Sequence, residues 1–264
     1  MLNYIVWNVN PAIFHIGNLE VRWYGLLFAF AFYAGYVIML RFFKKENVPV
    51  KVLDSLTYYM IFGTVIGARL GHVFFYEADW YLSHPLEIIQ IWKGGLASHG
   101  AAVGILIALY LFCRKHKKTY FWILDRIVIV VALAGVFIRT GNLMNSEIFG
   151  NPTGLPWAFI FIRDNDIPRH PTQIYEALSY LILFFILLWY YYKKKGAPQS
   201  GIIFSWFLIG LFSVRFQIEF LKVPQVEFEK SLTLNLGQSL SIPFIALGIG
   251  LLVWIKYHKP SAKS

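Results

Sequence analysis

Residues 121–138 read Phe121-Trp122-Ile123-Leu124-Asp125-Arg126-Ile127-Val128-Ile129-Val130-Val131-Ala132-Leu133-Ala134-Gly135-Val136-Phe137-Ile138. Apart from Asp125 and Arg126 near its beginning, this stretch is mainly apolar. A helix of about 20 predominantly apolar residues crosses the roughly 30 Å hydrocarbon core of a bilayer. The stretch therefore predicts a transmembrane helix, and the same pattern recurs along the chain.

The recurring apolar runs predict about seven transmembrane helices. They lie near Trp23–Met39, Leu56–Tyr76, Leu96–Cys113, Phe121–Ile138, Ile174–Tyr192, Ile202–Leu221 and Leu240–Tyr257. Hydrophobic residues make up 58% of the 264 residues and charged residues only 14%, whereas soluble domains carry about 25% charged residues. The predicted fold class is an all-α integral membrane protein. Residues 1–264 form a single polytopic membrane domain, with 143–172 as the connection between the fourth and fifth spans.

Basic residues predict the orientation of these spans. Fifteen Lys and Arg residues lie in the connections after the first, third, fifth and seventh spans or at the span ends next to them, against six on the opposite side. Because cytoplasmic loops carry the excess of Lys and Arg, the N-terminus and the 143–172 connection are predicted to be periplasmic and the C-terminus cytoplasmic. The formal net charge of +10 is mostly this topology signal, so nucleic acid is not a predicted partner.

Polar residues gather at the external ends of the predicted spans. An ionisable group inside a span is costly and commonly marks a functional site. Snorkelling of long side chains toward the interface explains a single arginine well, but it explains recurring Asn, His and Gln less well. We predict a polar chamber in the outer leaflet, lined by Tyr24, Arg69, His72, Tyr76, His99, Arg139, Asn142, Asn145, Glu147, His170, Gln173, Tyr175, Glu176, Arg215, Glu219, Gln238 and Ser239.

A glycine-rich segment precedes the third predicted span. It reads Gly94-Gly95-Leu96-Ala97-Ser98-His99-Gly100. The N–H groups and the positive dipole end of a helix N-terminus suit an anion such as phosphate. The same field favours the neutral imidazole of His99, which could then act as a base. Glycine before a membrane helix is common, so this pattern alone is a weak signal.

Two pairs of polar residues lie near other span ends. Arg139 and Asn142 are one helical turn apart on one face, and Gly141 allows a headgroup or another backbone to approach closely. Arg215 and Glu219 are spaced i, i+4 and can pair along one helix. A guanidinium suits a phosphate group because its planar fork matches the phosphate oxygens.

These residues leave two classes of function open. The single cysteine, Cys113, lies at the cytoplasmic end of its span, and no other residue looks like a covalent nucleophile. We find neither metal-ligand spacing nor a phosphate-binding loop, so no metal and no cofactor is expected. The residues favour metal-free chemistry on an anionic lipid at the outer leaflet. The alternative is an anionic-lipid or organic-anion transporter, which would more commonly show inverted repeats and polar groups near the midplane.

One long motif resembles a known family. Residues 139–150 read Arg139-Thr140-Gly141-Asn142-Leu143-Met144-Asn145-Ser146-Glu147-Ile148-Phe149-Gly150. This segment is similar to the signature R-x-G-N-[FL]-x-N-x-E-x-x-G of the prolipoprotein diacylglyceryl transferases. Other family motifs follow the same order, and the resemblance covers nearly the whole chain: Trp23-Tyr24-Gly25, Gly67-Ala68-Arg69-Leu70-Gly71, the glycine-rich segment 94–100, His170-Pro171-Thr172-Gln173-Ile174-Tyr175-Glu176, and Gly237-Gln238-Ser239-Leu240-Ser241-Ile242-Pro243.

The resemblance implies a reaction and its setting. The diacylglyceryl group of phosphatidylglycerol would be transferred to the thiol of the lipobox cysteine in the signal peptide of a preprolipoprotein, releasing glycerol phosphate. The protein would lie among the lipids of the bacterial inner membrane as a multi-pass protein. The nucleophile would then be the substrate's cysteine, which fits the lack of an internal one.

The resemblance also implies roles for individual residues. The positions similar to the family's catalytic residues are His99, Arg139, Tyr24, Arg215 and Glu219. Those expected to bind substrate are Arg139, Asn142, Asn145, Glu147, Arg69, His170, Gln173 and Gln238. Glu147 is expected to orient Arg139 and Asn142, and Glu219 to hold Arg215 as a second headgroup arginine.

Three positions depart from the family pattern. Ala97 stands where a serine is expected, His72 where a tyrosine is frequent, and Leu211 where some members have a tyrosine one turn before Arg215. The last departure puts in doubt a catalytic phenol at that position and leaves the signature untouched.

Overall fold

The computed structural model describes residues 4–17, 19–196, 198–223 and 234–258. This part of the chain is mainly helical, as the apolar runs predict. Its α-helices are α1 (Trp23–Lys45), α2 (Val50–Phe75), α3 (Ala78–Ser83), α4 (Ser98–His116), α5 (Tyr120–Met144), α6 (Thr172–Lys193), α7 (Ile202–Glu219) and α8 (Leu236–Tyr257).

Five of these helices, α1, α5, α6, α7 and α8, are long and apolar enough to cross a membrane. The chain is therefore a multi-pass membrane protein. Helices α2 and α4 occupy the predicted second and third spans, with 26 and 19 residues, but they fall outside this group. The count of seven spans and the orientation of the termini stay predictions.

Several helices extend beyond the apolar runs that predicted them. Helix α5 continues past Ile138 to Met144, so Arg139 and Asn142 belong to its last turns. Helix α1 continues past Met39 to Lys45. Hydrophobicity marks only the part of a helix that matches lipid, whereas backbone hydrogen bonding continues into the polar residues beyond it.

The chain divides into two compact units by its internal contacts. The small unit is Met39–Ile123, and the large unit is Met1–Ile38 together with Leu124–Ser264. The assignment of the whole chain to one membrane domain stays a prediction.

Glycine brings α2 and α4 together in the small unit. A Cβ added to Gly63 would lie 2.6 Å from the Cβ of Ala108, and one added to Gly71 would lie 2.6 Å from the Cα of Gly100. A Cβ on Gly67 would lie 2.5 Å from the carbonyl oxygen of Gly100. The two helices thus meet backbone to backbone through small residues one turn apart, as is typical of helix pairs in membranes.

The buried Asp125 joins two helices of the large unit. Its carboxylate accepts hydrogen bonds from the backbone N–H groups of Gly201, at 2.7 Å, and Phe204, at 2.8 Å. These N–H groups lie at the start of α7, where a helix has donors without intrahelical partners. Asp125 therefore caps α7 from α5, which explains a carboxylate in the first turns of an otherwise apolar helix.

The segment between α5 and α6 is built into a small sheet. Strand β1 (Ile5–Trp7) pairs in parallel with β4 (Phe159–Phe161), and β5 (Pro168–Arg169) pairs antiparallel with β4. Strands β2 (Ala12–Ile16) and β3 (Leu19–Arg22) form a separate hairpin. Leu143 packs with the Phe side chains of β4, and the Trp7 indole N–H donates to the carbonyl of Leu143 at 2.9 Å. The sheet therefore anchors the end of α5.

The glycine contact between α2 and α4 gives a stability prediction. Gly67→Ala adds a methyl group where the backbone of Gly100 already lies, so overpacking should lower the free energy of unfolding by about 1–3 kcal/mol. Gly250→Ala is the matched control, because nothing lies within 4 Å of a Cβ at that position of α8 and alanine favours helix. Thermal unfolding in detergent should show a lower Tm for Gly67→Ala alone. Equal Tm values for the two variants would contradict the packing argument.

Candidate active site

The signature segment forms a chain of hydrogen bonds at the end of α5. Arg139 donates from Nη1 to Oδ1 of Asn142 at 3.1 Å. The Asn142 amide in turn donates to Oε1 of Glu147 at 2.8 Å, and the Asn145 amide donates to the same oxygen at 3.2 Å. The carboxylate of Glu147 therefore orients both amides, and through Asn142 it orients the guanidinium of Arg139.

The turn after α5 has an unusual backbone. Ser146 and Ile148 have φ values of 55° and 58°, in the left-handed region that β-branched residues rarely adopt. Two buried side chains of α6 hold this turn: the Gln173 amide donates to the carbonyl of Glu147 at 2.6 Å, and the Thr172 hydroxyl to the carbonyl of Ile148 at 2.8 Å. Strained turns of this kind cluster at functional sites, and here the strain directs Glu147 back toward α5.

Gly150, which ends the signature, lies where three chain segments meet. A Cβ there would lie 2.5 Å from the carbonyl oxygen of Leu221, 2.7 Å from the Cβ of His170 and 2.8 Å from a methyl carbon of Thr172. The backbone also forms a bridge with Lys222. Only glycine leaves room for this crossing, so the signature, the start of α6 and the segment after α7 are held together.

A buried carboxylate on α6 connects two cations. Oε2 of Glu176 lies 2.9 Å from Nε of Arg139, and Oε1 accepts a hydrogen bond from Nζ of Lys222 at 3.1 Å. Nζ of Lys222 also lies 2.8 Å from Oε2 of Glu219. Glu176 has no exposed surface, and the side chains of Lys222, Arg139 and Glu219 are only 5%, 13% and 13% exposed. An ion network this deeply buried is strongly held, because loss of one partner leaves an uncompensated charge.

Arg215 differs from its expected arrangement. The pairing predicted from its spacing with Glu219 is replaced by the contact between Glu219 and Lys222. Within the described residues Arg215 is half-buried and forms no ion pair. The i, i+4 spacing allowed the pair, but a third residue outside the helix competes for the carboxylate.

Tyr24 lies against the signature at the beginning of α1. A Cβ added to Gly141 would lie 2.7 Å from Cδ2 of the Tyr24 ring. The glycine of the signature therefore makes room for the tyrosine, whose ring is half-buried.

Three predicted amide residues each keep one buried polar atom without a hydrogen-bond partner in the described part of the chain. These atoms are Oδ1 of Asn145, Oε1 of Gln173 and Nε2 of Gln238. The other end of each amide is engaged; that of Gln238 forms a capping box with Asn235 at the start of α8. Buried polar atoms are nearly always paired, so these three can serve a polar ligand.

His170 lies in the segment between α5 and α6. Its Nδ1 is 3.3 Å from the Tyr175 hydroxyl, which accepts a hydrogen bond from the Trp157 indole at 2.9 Å. Burial lowers the pKa of His170, so the imidazole is neutral at pH 7 and available for hydrogen bonding.

The small unit contains the other predicted site residues, beginning with Arg69. The buried guanidinium donates to four backbone carbonyls of the loop before α4, those of Glu87 at 2.6 Å, Ile88 at 2.8 Å, Gly94 at 2.8 Å and Gly95 at 3.1 Å. Arg69, which the resemblance implies binds substrate, thus contacts the backbone of this loop. Its five N–H donors are largely engaged by the loop, because a buried guanidinium must satisfy its donors.

His99 lies in the first turn of α4, at one end of an apolar groove of about 790 Å³ between α2 and α4. The imidazole is exposed, and it contacts the rings of Phe75 and Tyr76 with centroids 5.3 and 5.7 Å away. No hydrogen bond from His99 to another described residue is found, so both ring nitrogens are available to a substrate.

The structure thus gathers the predicted residues into two groups, one in each unit. Arg69 and His99 belong to the small unit. The large unit holds Tyr24, Arg139, Asn142, Asn145, Glu147, His170, Gln173, Arg215, Glu219 and Gln238.

A family model described as prolipoprotein diacylglyceryl transferase matches residues 11–254. The chain belongs to the prolipoprotein diacylglyceryl transferase family. Similar relatives are phosphatidylglycerol–prolipoprotein diacylglyceryl transferases. That of Tolumonas auensis is 46% identical over 250 residues, covering 94% of this chain and 96% of the relative. That of Chloroherpeton thalassium is 46% identical over 248 residues, covering 94% and 92%. That of Bacteroides fragilis is 41% identical over 257 residues, covering 93% of each.

Membership of the diacylglyceryl transferase family confirms the resemblance read from the signature and does not favour a transporter.

Two departures from the family pattern have visible local effects. Ala97 is the N-cap of α4 and gives no side-chain cap, where a serine could accept a hydrogen bond. His72 stacks on Tyr76 and lies 3.7 Å from Glu77. Leu211 is half-buried in α7.

Two residues of the charge network, Lys222 and Glu176, received no role from the sequence. Lys222 is one of the six basic residues on the side opposite the basic connections, and Glu176 is one of the polar residues at the external ends of the predicted spans. A weak signal existed for Glu176, which lies one turn after Gln173 on the buried face of α6. No pattern in the sequence indicated that Lys222 would be buried.

Proposed function

We propose that this chain transfers the diacylglyceryl group of phosphatidylglycerol to the thiol of the lipobox cysteine in the signal peptide of a preprolipoprotein. The bacterial inner membrane is its location, and the outer leaflet is where it acts. The observation that carries the proposal is the buried charge network around Arg139, on the signature of a transferase family whose relatives are named for both substrates.

The reaction needs no nucleophile from this chain. The thiolate sulfur of the substrate forms a bond to the terminal glyceryl carbon, while the bond from that carbon to the phosphate oxygen breaks. Glycerol phosphate leaves with the electron pair, and the thiol proton passes to a base. The single cysteine, Cys113, is 5% exposed and lies in α4, so it behaves as a packed apolar residue.

Two guanidinium groups are proposed to hold the phosphate. Arg139 is oriented by Asn142 on one side and by Glu176 on the other, so it is pre-organised for an oxyanion. Arg215 has no ion pair within the described residues and is available to a second phosphate oxygen. Two cations at a headgroup disfavour phosphatidylethanolamine, whose ammonium would lie beside them.

The remaining large-unit residues are proposed to bind the polar parts of the substrate. Asn145, Gln173 and Gln238 each have a buried polar atom without a partner, and a headgroup with hydroxyl groups offers both donors and acceptors. The neutral His170 can add a further hydrogen bond. Tyr24 is proposed to pack against the bound lipid.

His99 is proposed to take the proton from the substrate thiol. A thiol is a poor nucleophile near pH 7, because its pKa is about 8.5, and a neutral imidazole is a suitable base. The exposed ring with two unengaged nitrogens supports this role. Arg69 is proposed to hold the loop that leads into α4, and thereby to fix the position of His99.

We also propose seven spans, formed by α1, α2, α4, α5, α6, α7 and α8, with a periplasmic N-terminus. Strand β1 precedes α1 and pairs with β4 after α5, so both lie on one side of the membrane and an even number of crossings separates them. Parity then requires that α2 and α4 either both cross or both stay on one side, and their lengths of 26 and 19 residues favour two crossings. The bridge between Gly150 and Lys222 likewise supports an even number of crossings in α6 and α7.

The proposed activity is tested with purified protein, phosphatidylglycerol and a lipobox peptide in proteoliposomes. Mass spectrometry should detect a diacylglyceryl adduct on the peptide cysteine. With phosphatidylethanolamine in place of phosphatidylglycerol, the rate should fall by at least tenfold, since two guanidiniums face the headgroup. The control peptide carries Ser in place of Cys. Equal rates from both lipids, or an adduct on the serine peptide, would contradict the proposed chemistry.

Arg139→Ala should lower kcat/KM by a factor of about 30 to 1,000, which corresponds to roughly 2–4 kcal/mol for the loss of an electrostatic stabiliser. Arg139→Lys should restore little, because an ammonium lacks the planar fork that meets Asn142 and Glu176 together. The control is Arg22→Ala, since Arg22 is exposed and, among the described residues, its ion pair is with Glu20 at the surface. Full activity in Arg139→Lys would show that the bidentate argument is wrong.

His99→Gln should abolish transfer at pH 7 and leave phosphatidylglycerol binding unchanged, because the amide cannot accept the thiol proton. Above pH 9 the substrate thiol ionises without help, so the variant should recover part of its rate. Rates between pH 6 and 9.5 and lipid binding are the measurements. Lost lipid binding would make His99 a headgroup ligand, and a constant residual rate at every pH would make it a structural residue.

The orientation is tested with reporter fusions. A fusion after Lys195 should be cytoplasmic and one near Gly154 periplasmic, because basic residues are concentrated on the side of Lys195. Alkaline phosphatase and green fluorescent protein at each position give opposite readouts. The reverse pattern would place the signature on the cytoplasmic side and rule out chemistry at the outer leaflet.

A further inference from the structure

Lys222 is the least expected member of the charge network. It follows α7 by a short turn, yet the residue is only 8% exposed. Its Nζ lies 3.1 Å from Oε1 of Glu176 and 2.8 Å from Oε2 of Glu219. A lysine is almost never fully buried unless it is paired, and this one is paired with two carboxylates at once.

Backbone hydrogen bonds also fix the position of Lys222. Its N–H donates to the carbonyl of Glu219 at 3.3 Å, and the N–H of Asn151 donates to the carbonyl of Leu221 at 2.7 Å. Lys222 also forms an antiparallel bridge with Gly150 at the end of the signature. These backbone contacts fix the position of the Lys222 ammonium beside the signature.

Glu219 would have another partner without Lys222. Arg215 precedes it by four residues on α7, and oppositely charged side chains at this spacing pair on a helix surface. Within the described residues Arg215 forms no ion pair, while Glu219 pairs with Lys222. Of the two cations that sequence spacing offers to Glu219, Lys222 is the one in contact with it.

We propose that Lys222 is a positioning residue that keeps Arg215 from pairing with Glu219. By neutralising Glu219 and sharing Glu176 with Arg139, it leaves the guanidinium of Arg215 free for the phosphate of the lipid. The inference rests on the proposed function. Removal of the ammonium would release Glu219 to Arg215, so the chain would occupy its own anion site with an internal carboxylate.

The test compares four variants in phosphatidylethanolamine proteoliposomes with varied phosphatidylglycerol and a lipobox peptide. Lys222→Met should raise KM for phosphatidylglycerol by about tenfold, with a smaller change in kcat, because a carboxylate now competes with the lipid. Lys222→Arg should stay within about threefold of the wild type, since a guanidinium can hold both carboxylates. The matched control is Lys193→Met, an exposed lysine at the other end of the helix that carries Glu176.

The double variant Lys222→Met/Glu219→Gln separates competition from simple loss of structure. It removes the competing carboxylate together with the cation, so no charge is left uncompensated and folding is retained. Equilibrium binding of radiolabelled phosphatidylglycerol in detergent is measured for every variant, so the result does not depend on any role of Glu219 in catalysis. The double variant should bind within about threefold of the wild type, and Lys222→Met about tenfold more weakly.

Three results would overturn the proposal. Lys222→Met could bind phosphatidylglycerol as tightly as the wild type, the double variant could bind as weakly as Lys222→Met, or Lys222→Arg could fail to rescue. If Lys222→Met does not fold, phosphatidylglycerol binding by the double variant is the deciding measurement. Binding within about threefold of the wild type supports the proposal, and much weaker binding contradicts it. A wild type that forms no adduct and does not prefer phosphatidylglycerol refutes the proposed function itself, which is a different result from any of these.

Discussion

A carboxylate taken out of water costs several kcal/mol unless cations or donors surround it, and this constraint acts on Glu176 at the centre of the charge network. It has no exposed surface. Arg139 reaches it from α5, Lys222 from the segment after α7, and the Tyr180 hydroxyl donates from one turn further along α6 at 3.3 Å. If α5 or the segment after α7 moved away from α6, a buried charge would lose its partner. The carboxylate of Glu176 therefore fixes the position of Arg139, the arginine of the signature.

Much of the fold and part of the site could be predicted because the relevant forces act locally. Apolar runs located the helices, since lipid demands a continuous apolar surface of fixed length. The signature placed Arg139, Asn142 and Glu147 together, since nine residues at a helix end have few ways to fold. The same local rule predicted the pair of Arg215 and Glu219. There it failed, because a competing cation comes from outside the helix and spacing within one helix carries no information about it.

Arg69 illustrates a second limit. Burying the guanidinium of an arginine within a predicted span costs free energy unless its N–H groups donate to a ligand or to backbone carbonyls. The sequence shows that the arginine lies within a predicted span, but it does not show which of these partners the guanidinium has. Here carbonyls of residues 87–95 accept these hydrogen bonds, helped by Gly94 and Gly95, whose φ values of 90° and 70° turn the loop toward the guanidinium. Which solution the chain uses depends on the loop conformation, for which the sequence shows only the two glycines.

The short strand β1 has a consequence for biosynthesis. Its partner β4 lies more than 150 residues later in the chain, and translation proceeds at roughly 5–20 residues per second. The first strand therefore exists for roughly ten to thirty seconds before the segment that completes its hydrogen bonds has been made. Throughout that time it presents an unpaired edge, which can pair with other chains. Strand β1 is thus synthesised well before β4 and reaches its place only after β4 has been made, and a chaperone or a neighbouring chain can bind it during that interval.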